Sequence, residues 1–509
     1  MKPDDTEEET KSCYHPNLSN QYLYKPNVKL PDLDETGETV ADIELPNTRA
    51  GLDRRIEQCM EMTMEAFPCF DFQYPSTALS RKPDFEDPYA TFWANQNAQG
   101  RRAGLYVHIP FCRSKCSFCY FTVAANRGED EVDRYLDTLE NEIRHVAPTV
   151  RDRVIESVYV GGGTPTYLTT SQLDRLFALL YRHFDLSAFT EWSIESTPTL
   201  ANPEKLRVMK QHGVTRLSLG VQTTHDHLLK KLNRSFERKD IERIVEQARS
   251  AGIDNINLDF MYALPGQTVD DWFRTLDDAF AQDIPGITIY SLDLHESTHF
   301  FRIKDKLELA GLETQLRMYD EAVERLYRHG YRKINSSIFA RDKSCYTQQN
   351  RRWENLPLIA LGPGAQSYSP GFAFRNIGDL GRYAEAVNTG RTVVDKYAVL
   401  EPGEEFYREA VSMIRFAMLD KVGFAQRYGQ SIDSRFRYLI ETLIRLGYLE
   451  ETADSVHLTR DGLHRSNMIS MFFYSDPIKQ KLVDHLYTMH APQMRALRSV
   501  GLTEDGNLQ

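Results

Sequence analysis

The stretch LYVHIPFCRSKCSFCYF, residues 105–121, joins a short apolar run to a loop that carries Cys112, Cys116 and Cys119 within eight positions. The apolar run LYVHI reads as a strand, so the cysteines stand where a chain leaves a strand. The same punctuation recurs downstream. SVYVGG (157–162), EWSIE (191–195), RLSLGV (216–221), INLDFMY (256–262) and GITIYSL (286–292) are further strand candidates. Helical patterns lie between them: Val132, Tyr135, Leu136, Leu139 and Ile143 recur at spacings of three and four. Asn202-Pro203 opens another helix that Gly213 closes, and Thr268 with Asp271 starts a third before Trp272, Leu276 and Phe280. Six βα units in series predict an α/β fold with parallel strands, as a barrel or an open doubly wound sheet. Both architectures place ligands at the C-terminal ends of the strands.

The whole chain has 509 residues with ordinary apolar and charged fractions, enough for one large domain with additions. Its formal charge is −12 and no long Lys/Arg block is present, which argues against a nucleic-acid partner. MKPDDTEEETK is acidic where a secretory signal needs a basic start and an apolar run, and no later stretch is long and apolar enough to span a bilayer. The expectation is a cytoplasmic protein without a membrane partner. Seven cysteines with no framework spacing then read as free thiols, kept for metals or chemistry.

Residues 1 to about 100 are rich in Asp, Glu, Pro and Asn, with one short helical candidate around Ile56, Met60, Met64 and Phe67, and read as an extension wrapping the main body. After Leu312, an amphipathic helix is expected through Leu316, Tyr319, Val323, Leu326 and Tyr327, followed by loop-rich sequence ending in IALGPGAQSY, 359–368. From about Glu404, helical patterns precede YLEETADSVHLT, a β-hairpin candidate, which suggests a small winged-helix module. The acidic balance favours a lid or packing role for it over DNA binding.

Three thiols at C-x3-C-x2-C on one loop can converge on one metal centre. Zinc with His108 as a fourth ligand satisfies the spacing. So does an iron-sulfur cluster with one iron left open to a non-protein ligand. An open iron of that kind can be chelated by the amino and carboxylate groups of S-adenosylmethionine (SAM), whose sulfonium is then cleaved on reduction. Such a site needs acceptors for an ammonium, a cation for a carboxylate and groups for ribose hydroxyls. Candidates recur at successive strand ends: Gly161-Gly162-Gly163-Thr164-Pro165, Glu195, Gln222 and Asp259.

HIPFCRSKCSFCYF, VGGGTPTYL, SIESTP, RLSLGVQT, LNR and INLDFMYALPGQT, in that order, resemble the radical SAM enzymes of the oxygen-independent coproporphyrinogen III dehydrogenase (HemN-like) type. The resemblance runs through residues 104 to about 300 and, more loosely, to about 470. It implies a partial (β/α)6 barrel at 104–303 after an N-terminal extension at 1–103. A barrel extension at 304–400 and a C-terminal winged-helix-like domain at 401–509 follow. The implied cofactors are a 4Fe-4S cluster on Cys112, Cys116 and Cys119, and SAM. Tyr106 would lie near the cluster, Gly162, Gly163, Thr164 and Glu195 would hold the methionyl amine, Arg234 its carboxylate, and Gln222 with Asp259 the ribose. An Arg suits that carboxylate because its fork matches two oxygens. This branch is also noted for a second SAM, for which Gly362, Gly364, Ala365 and Gln349 are the matching positions.

Three departures bear on the reaction. The porphyrinogen-decarboxylating enzymes commonly carry a fourth cysteine two positions after the third, where this chain has Phe121. The haem-carrying relatives show a His-Asn-x-x-Tyr-Trp motif where this chain reads YTQQNRRW. SIESTP places Ser196 and Thr197 where an acidic ending is usual. These departures direct the expectation to C-methylation or cyclopropanation of an sp2 carbon in an aromatic or tetrapyrrole-like substrate, using a second SAM. Oxidative decarboxylation of coproporphyrinogen III and non-catalytic haem carriage stand as alternatives. Cys345 is a candidate relay, and His295 and His299 are candidate bases for a final deprotonation. The expected partners are a small-molecule substrate, an electron donor such as flavodoxin or ferredoxin, and a possible partner methyltransferase.

Overall fold

The computed structural model describes residues 102–295, 297–341, 356–369, 371–415 and 418–478, with Ile56, Tyr74 and residues 80–83. Its central feature is a run of six strands in chain order: β1 (Arg102–Ile109), β2 (Val154–Gly162), β3 (Glu191–Ser196), β4 (Arg216–Gln222), β5 (Asn255–Tyr262) and β6 (Gly286–Ser291). Each pairs in parallel with the next. All six coincide with the strand candidates to within a few residues. Leu105, Val107 and Ile109 of β1 are fully buried, as are Ile194, Leu217, Leu219 and Leu258, because crossover helices cover the strands.

Those helices are α1 (Glu129–Val146), α2 (Thr170–His183), α3 (Pro203–Gln211), α4 (Asp226–Lys231), α5 (Arg238–Ser250) and α6 (Val269–Ala281). Their starts follow capping chemistry that is visible in the sequence. Asn202 accepts from the Lys205 N–H with Pro203 at the first helical position, and Thr268 and Asp271 bond reciprocally to each other's backbone N–H. On α1 the buried stripe contains Val132, Tyr135, Leu136, Leu139 and Ile143 as expected, together with a buried glutamate, Glu142.

The sheet does not stop at six strands. Beyond β6 it continues through β8 (Ile338–Ala340) to the edge β7 (Arg332–Lys333), both antiparallel. On the other side, β9 (Leu358–Leu361) pairs in parallel with β1, and β10 (Gln366–Ser369), β11 (Phe372–Asn376) and β12 (Val394–Val399) extend the sheet in antiparallel fashion. The glycine-rich LGPGAQSY segment is thus a turn between two antiparallel strands. Between β7 and β6 in sequence runs α7 (Leu312–Arg328), whose buried face is Gln315, Met318, Ala322 and Leu326. Leu316 is only half-buried and Tyr327 is exposed, so the expected stripe is rotated: the helix packs against α6 and β5 along the Met318 row.

Helix α8 (Leu380–Asn388) packs on α1, and Glu142 is where they meet. Its carboxylate accepts from the Gly362 N–H at 2.8 Å, Asn376 Nδ2 at 2.9 Å and the Tyr383 hydroxyl at 2.5 Å. One buried side chain therefore ties α1 to the LGPGAQSY turn, β11 and α8. Glu142→Ala removes a buried acceptor shared by three donors and is expected to cost about 3 kcal/mol, read as a lowered thermal midpoint; Tyr383→Phe, which removes one donor, is expected to cost about 1 kcal/mol.

A separate apolar cluster forms around α9 (Glu404–Arg415), α10 (Lys421–Tyr428) and α11 (Asp433–Arg445). A three-stranded sheet of β13 (Met418–Asp420), β14 (Leu449–Glu451) and β15 (Ser455–Leu458) completes it, and the expected hairpin is its β14–β15 pair. Several of its cations face acids of the same chain: Arg437 with Glu451 and Glu441, Lys421 with Glu451, and Arg460 with Asp320 of α7. That pairing suits a packing role. Ile56 and Tyr74 are buried in this cluster, and the Tyr74 hydroxyl donates to Glu404 and Ser475. Arg81 bridges Tyr397 on β12, so these described points of the extension lie on the body. Met60, Met64 and Phe67 fall outside the described residues. No helix among the described residues is long and apolar enough to cross a membrane.

Candidate active site

The cysteine loop leaves β1 and is pinned at both ends. Phe111–Cys112 pairs in parallel with Ala124–Ala125, with Ala124 N–H donating to the Pro110 carbonyl at 2.6 Å and Asn126 N–H to that of Cys112 at 2.9 Å. In the middle, Ser117 N–H donates to the Leu232 carbonyl at 3.1 Å, the Phe300 N–H to that of Ser117 at 3.0 Å, and Asn233 Nδ2 to that of Lys115 at 2.8 Å. The loop is therefore seated on the end of α4 and on the helical turn His299–Arg302. Burial pushes the Cys112 thiol up to about 11 and raises Cys119 as well. Both thiols are protonated near neutrality in the metal-free chain, so metal binding must displace their protons.

His108 does not join them. Its Nε2–H donates to the Thr122 carbonyl at 2.9 Å and its Nδ1 accepts from the Tyr106 hydroxyl at 3.0 Å, while burial lowers it to about 4. Both ring nitrogens are occupied, and the zinc alternative loses its fourth ligand. Among the described residues, no three His, Cys, Asp or Glu side chains converge on a single-ion site. Three thiolates from one loop suit a polynuclear cluster, which takes its thiolates on different irons.

The glycine turn after β2 lies against this loop. Gly163 N–H donates to the Ile109 carbonyl and Thr164 N–H to that of Phe111, each at 2.8 Å, and Thr164 Oγ1 is 3.5 Å from Cys112 Sγ. A Cβ at Gly163 would stand 2.7 Å from the Phe111 carbonyl oxygen and 3.0 Å from Cys112 Sγ, so any side chain there would push the cysteine away. Glu195, at the end of β3, accepts from the Gly162 N–H at 3.0 Å and from the Tyr159 hydroxyl at 2.7 Å. Burial raises its carboxyl to about 7, with Asp259 adding to the rise. Ser196 is buried and bonded to Thr166 at 2.6 Å, so the unusual SIESTP ending supports the same turn.

Gln222 ends β4 with φ of +75°, beside a register shift at Gly220. A left-handed, bulged glutamine at a strand end is a backbone bent to aim one side chain. Its Oε1 accepts from the Tyr290 hydroxyl at 2.5 Å. Asp259 accepts from Asn257 Nδ2 at 2.7 Å and, at 3.4 Å, from Ser218. Burial raises its carboxyl, with buried Arg216 opposing the rise. Arg234 follows α4 with its guanidinium 5.8 Å from the Phe118 ring and 5.9 Å from the Phe236 ring. Its Nε–H is buried with no hydrogen-bond partner. A half-buried cationic fork with an unmet donor beside the cysteine loop is what a carboxylate ligand requires.

A profile of the radical SAM superfamily matches residues 106–279. The haem chaperone HemW of Bacillus subtilis is 31% identical over 361 residues, spanning 70% of this chain and 95% of that protein. The oxygen-independent coproporphyrinogen III oxidase of Salmonella typhimurium is 30% identical over 419 residues, spanning 79% of this chain and 91% of that protein. Coproporphyrinogen III oxidase (HemN) from Escherichia coli, described as a radical SAM enzyme, superposes with a TM-score of 0.70 at 25% identity, over 79% of this chain and 96% of that one. The chain belongs to the radical SAM superfamily, in the HemN/HemW family.

This radical SAM protein accordingly uses a 4Fe-4S cluster and SAM. The residues present fit both: three thiols on one pinned loop, with His108 committed elsewhere, and the unmet Arg234 donor near them. Tyr106 lies on β1 against His108, with its ring 6.0 Å from that of Tyr159. The Gly362 turn is packed on the end of β1, where a Cβ would meet the His108 carbonyl oxygen at 2.8 Å and the Tyr135 hydroxyl at 2.9 Å. Gly364 abuts Thr122 of the cysteine loop, and Ala365 is buried. Gly362 and Gly364 thus adjoin the end of β1 and the cysteine loop, and close packing alone accounts for Gly362. His295 stacks on Tyr120 with centroids 5.2 Å apart, and its Nδ1 accepts from the Ser297 N–H at 3.1 Å. His299 is exposed on its helical turn. Cys345 and Gln349 lie outside the described residues. Sequence reading missed Tyr159 and Tyr290, which orient Glu195 and Gln222; their only signal was an aromatic in the same strand phase as a site residue, Tyr159 two positions before Gly161 and Tyr290 in register with Met261.

Proposed function

We propose that this protein cleaves SAM reductively and directs the resulting radical at a carboxylate-bearing tetrapyrrole, with oxidative decarboxylation of a propionate arm as the reaction. The supporting observation is the gathering of the cysteine loop, Glu195 and Arg234 at one end of the sheet, in a chain matching a coproporphyrinogen III oxidase over 96% of that protein's length. The cluster, when bound, supplies the electron that converts SAM to methionine and a 5'-deoxyadenosyl radical. In this reading Glu195, held by Tyr159 and Gly162, accepts the methionyl ammonium, and Arg234 receives the carboxylate. Gln222 and Asp259 face the ribose, and the Gly163 turn keeps Cys112 close by. A low-potential carrier such as flavodoxin or ferredoxin delivers the first electron; the radical takes a hydrogen atom from the propionate arm, and loss of CO2 to leave a vinyl group passes one electron to a one-electron acceptor. Anaerobically reconstituted protein with SAM, dithionite and coproporphyrinogen III is expected to release 5'-deoxyadenosine and CO2 together.

Haem carriage is the second reading. It is favoured by the similarity along 95% of HemW and by Phe121 at the fourth-cysteine position. Tight haem binding without deoxyadenosine would select it. The alkyl-transfer expectation finds no support in the names of the relatives described above, and two of its candidates, Cys345 and Gln349, are outside the described residues. Formation of S-adenosylhomocysteine alongside deoxyadenosine would restore it.

The elevated Glu195 carboxyl has a pH consequence. Below about 7 it is neutral and cannot balance an ammonium; above, it is a carboxylate. SAM affinity is therefore expected to weaken up to tenfold per pH unit as pH falls below about 7, and to lose that slope in Glu195→Gln, as checked by equilibrium binding across pH 5.5–8.5.

A further inference from the structure

Two of the few large apolar side chains left exposed among the described residues are neighbours on the cysteine loop. Tyr120 is 37% and Phe121 56% exposed, directly after Cys119. Soluble proteins tolerate scattered exposed apolar residues; adjacent ones at the rim of a site call for a reason. These two are also ordered with respect to each other. Tyr120 neighbours both Phe121, at 4.8 Å with 31° between ring planes, and His295, on which it stacks at 5.2 Å and 25°. His295 is itself fixed by two contacts from Ser297 to its Nδ1. Tyr120 also lies within electrostatic reach of Tyr290, the residue bonded to Gln222. The result is a three-ring array, backed by the segment after β6, whose outer face is open.

The charge around it is equally uneven. In a chain of net −12, residues 110–127 contain Arg113, Lys115 and Arg127 and no Asp or Glu. Arg113 and Lys115 are exposed on the loop that presents the rings. Arg127 is paired with Glu131, which leaves Arg113 and Lys115 as the exposed cations of the loop; an open aromatic face on a loop that also carries such cations is complementary to a flat π-system that bears carboxylates.

We propose that Tyr120 and Phe121, backed by His295, form the docking platform for a pyrrole face of a carboxylate-bearing tetrapyrrole, with Arg113 and Lys115 meeting its carboxylates. This rests on the tetrapyrrole reading above and adds where the substrate sits and which residues select it. It also gives Phe121 a role in place of the missing fourth cysteine, and makes His295 a positioning residue for the platform and not a base.

The test uses full-length, cluster-reconstituted protein, titrated anaerobically with haem and, separately, with coproporphyrin III, each followed by its Soret band. The double variant Tyr120→Leu/Phe121→Leu, which keeps apolar bulk but removes the ring faces, is expected to weaken binding by about tenfold or more at unchanged iron content. Tyr120→Phe, which keeps the ring, is expected to bind as the parent does. Arg113→Gln/Lys115→Gln is expected to weaken binding and flatten its salt dependence, more for the tetracarboxylate coproporphyrin than for haem. Tyr327→Ala, at an exposed aromatic on α7, is the control and should bind as the parent does. Unchanged affinity in the double Leu variant with its cluster intact, or an equal loss in Tyr327→Ala, overturns the platform. Parent protein that binds neither porphyrin defeats the tetrapyrrole reading itself, whatever the variants do.

Discussion

Cys116→Ala is expected to yield folded protein that retains little iron, lacks the visible absorbance of a reconstituted cluster, and produces deoxyadenosine at least about 10³-fold more slowly, equivalent to ~4 kcal/mol of barrier. The loss should be this complete because the loop offers three thiols and no substitute: His108 has both nitrogens committed to Tyr106 and Thr122. The fold should survive because the loop is held by backbone bonds from Ala124, Asn126, Ser117 and Phe300, none of which uses a cysteine side chain. Iron and sulfide content, the absorbance spectrum and a thermal melt separate these effects. Full iron occupancy with normal turnover in Cys116→Ala would refute the assignment of the three thiols as the cluster ligands.

Arg234→Ala is expected to weaken SAM binding by about 10² to 10³-fold, in the range found when one partner of a buried charge pair is truncated. The unmet Nε–H is a desolvated donor in the ligand-free chain, and satisfying it with a carboxylate recovers what burial has already cost. Arg234→Lys keeps the charge but not the fork, and should recover only part of the affinity. If Arg234 instead serves only to pack on Phe118 and Phe236, Arg234→Met should bind SAM as tightly as the parent. Equilibrium dialysis with SAM decides between the two, and a thermal melt of Arg234→Met reports packing separately.

Much of this was legible from residues alone because the informative signals are local. A strand followed by C-x3-C-x2-C, a glycine run after the next strand, and caps such as Asn202-Pro203 and Thr268 to Asp271 act within a few residues of themselves. The Met318 face of α7 was misread because Tyr327 and Leu316 count as apolar in a periodicity, while only the position of α6 and β5 determines which row is covered. The strands flanking the parallel set, β7 to β12, were not anticipated, and the region ending in LGPGAQSY was read as loop-rich, since their pairing depends on which edges the six central strands leave open.

From sequence alone, then, the parallel α/β core, the single loop that carries three thiols and the strand-end positions of Glu195 and Gln222 were determined, because periodicity and capping are encoded in neighbouring residues; Asp259, expected at a strand end, lies within its strand. Tertiary structure alone decided that His108 is withheld from metal, that Glu142 clamps the Gly362 turn from 220 positions away, and that Tyr120 stacks on His295. Those facts depend on which side chains meet across elements remote in the chain, and only the packed fold brings them together.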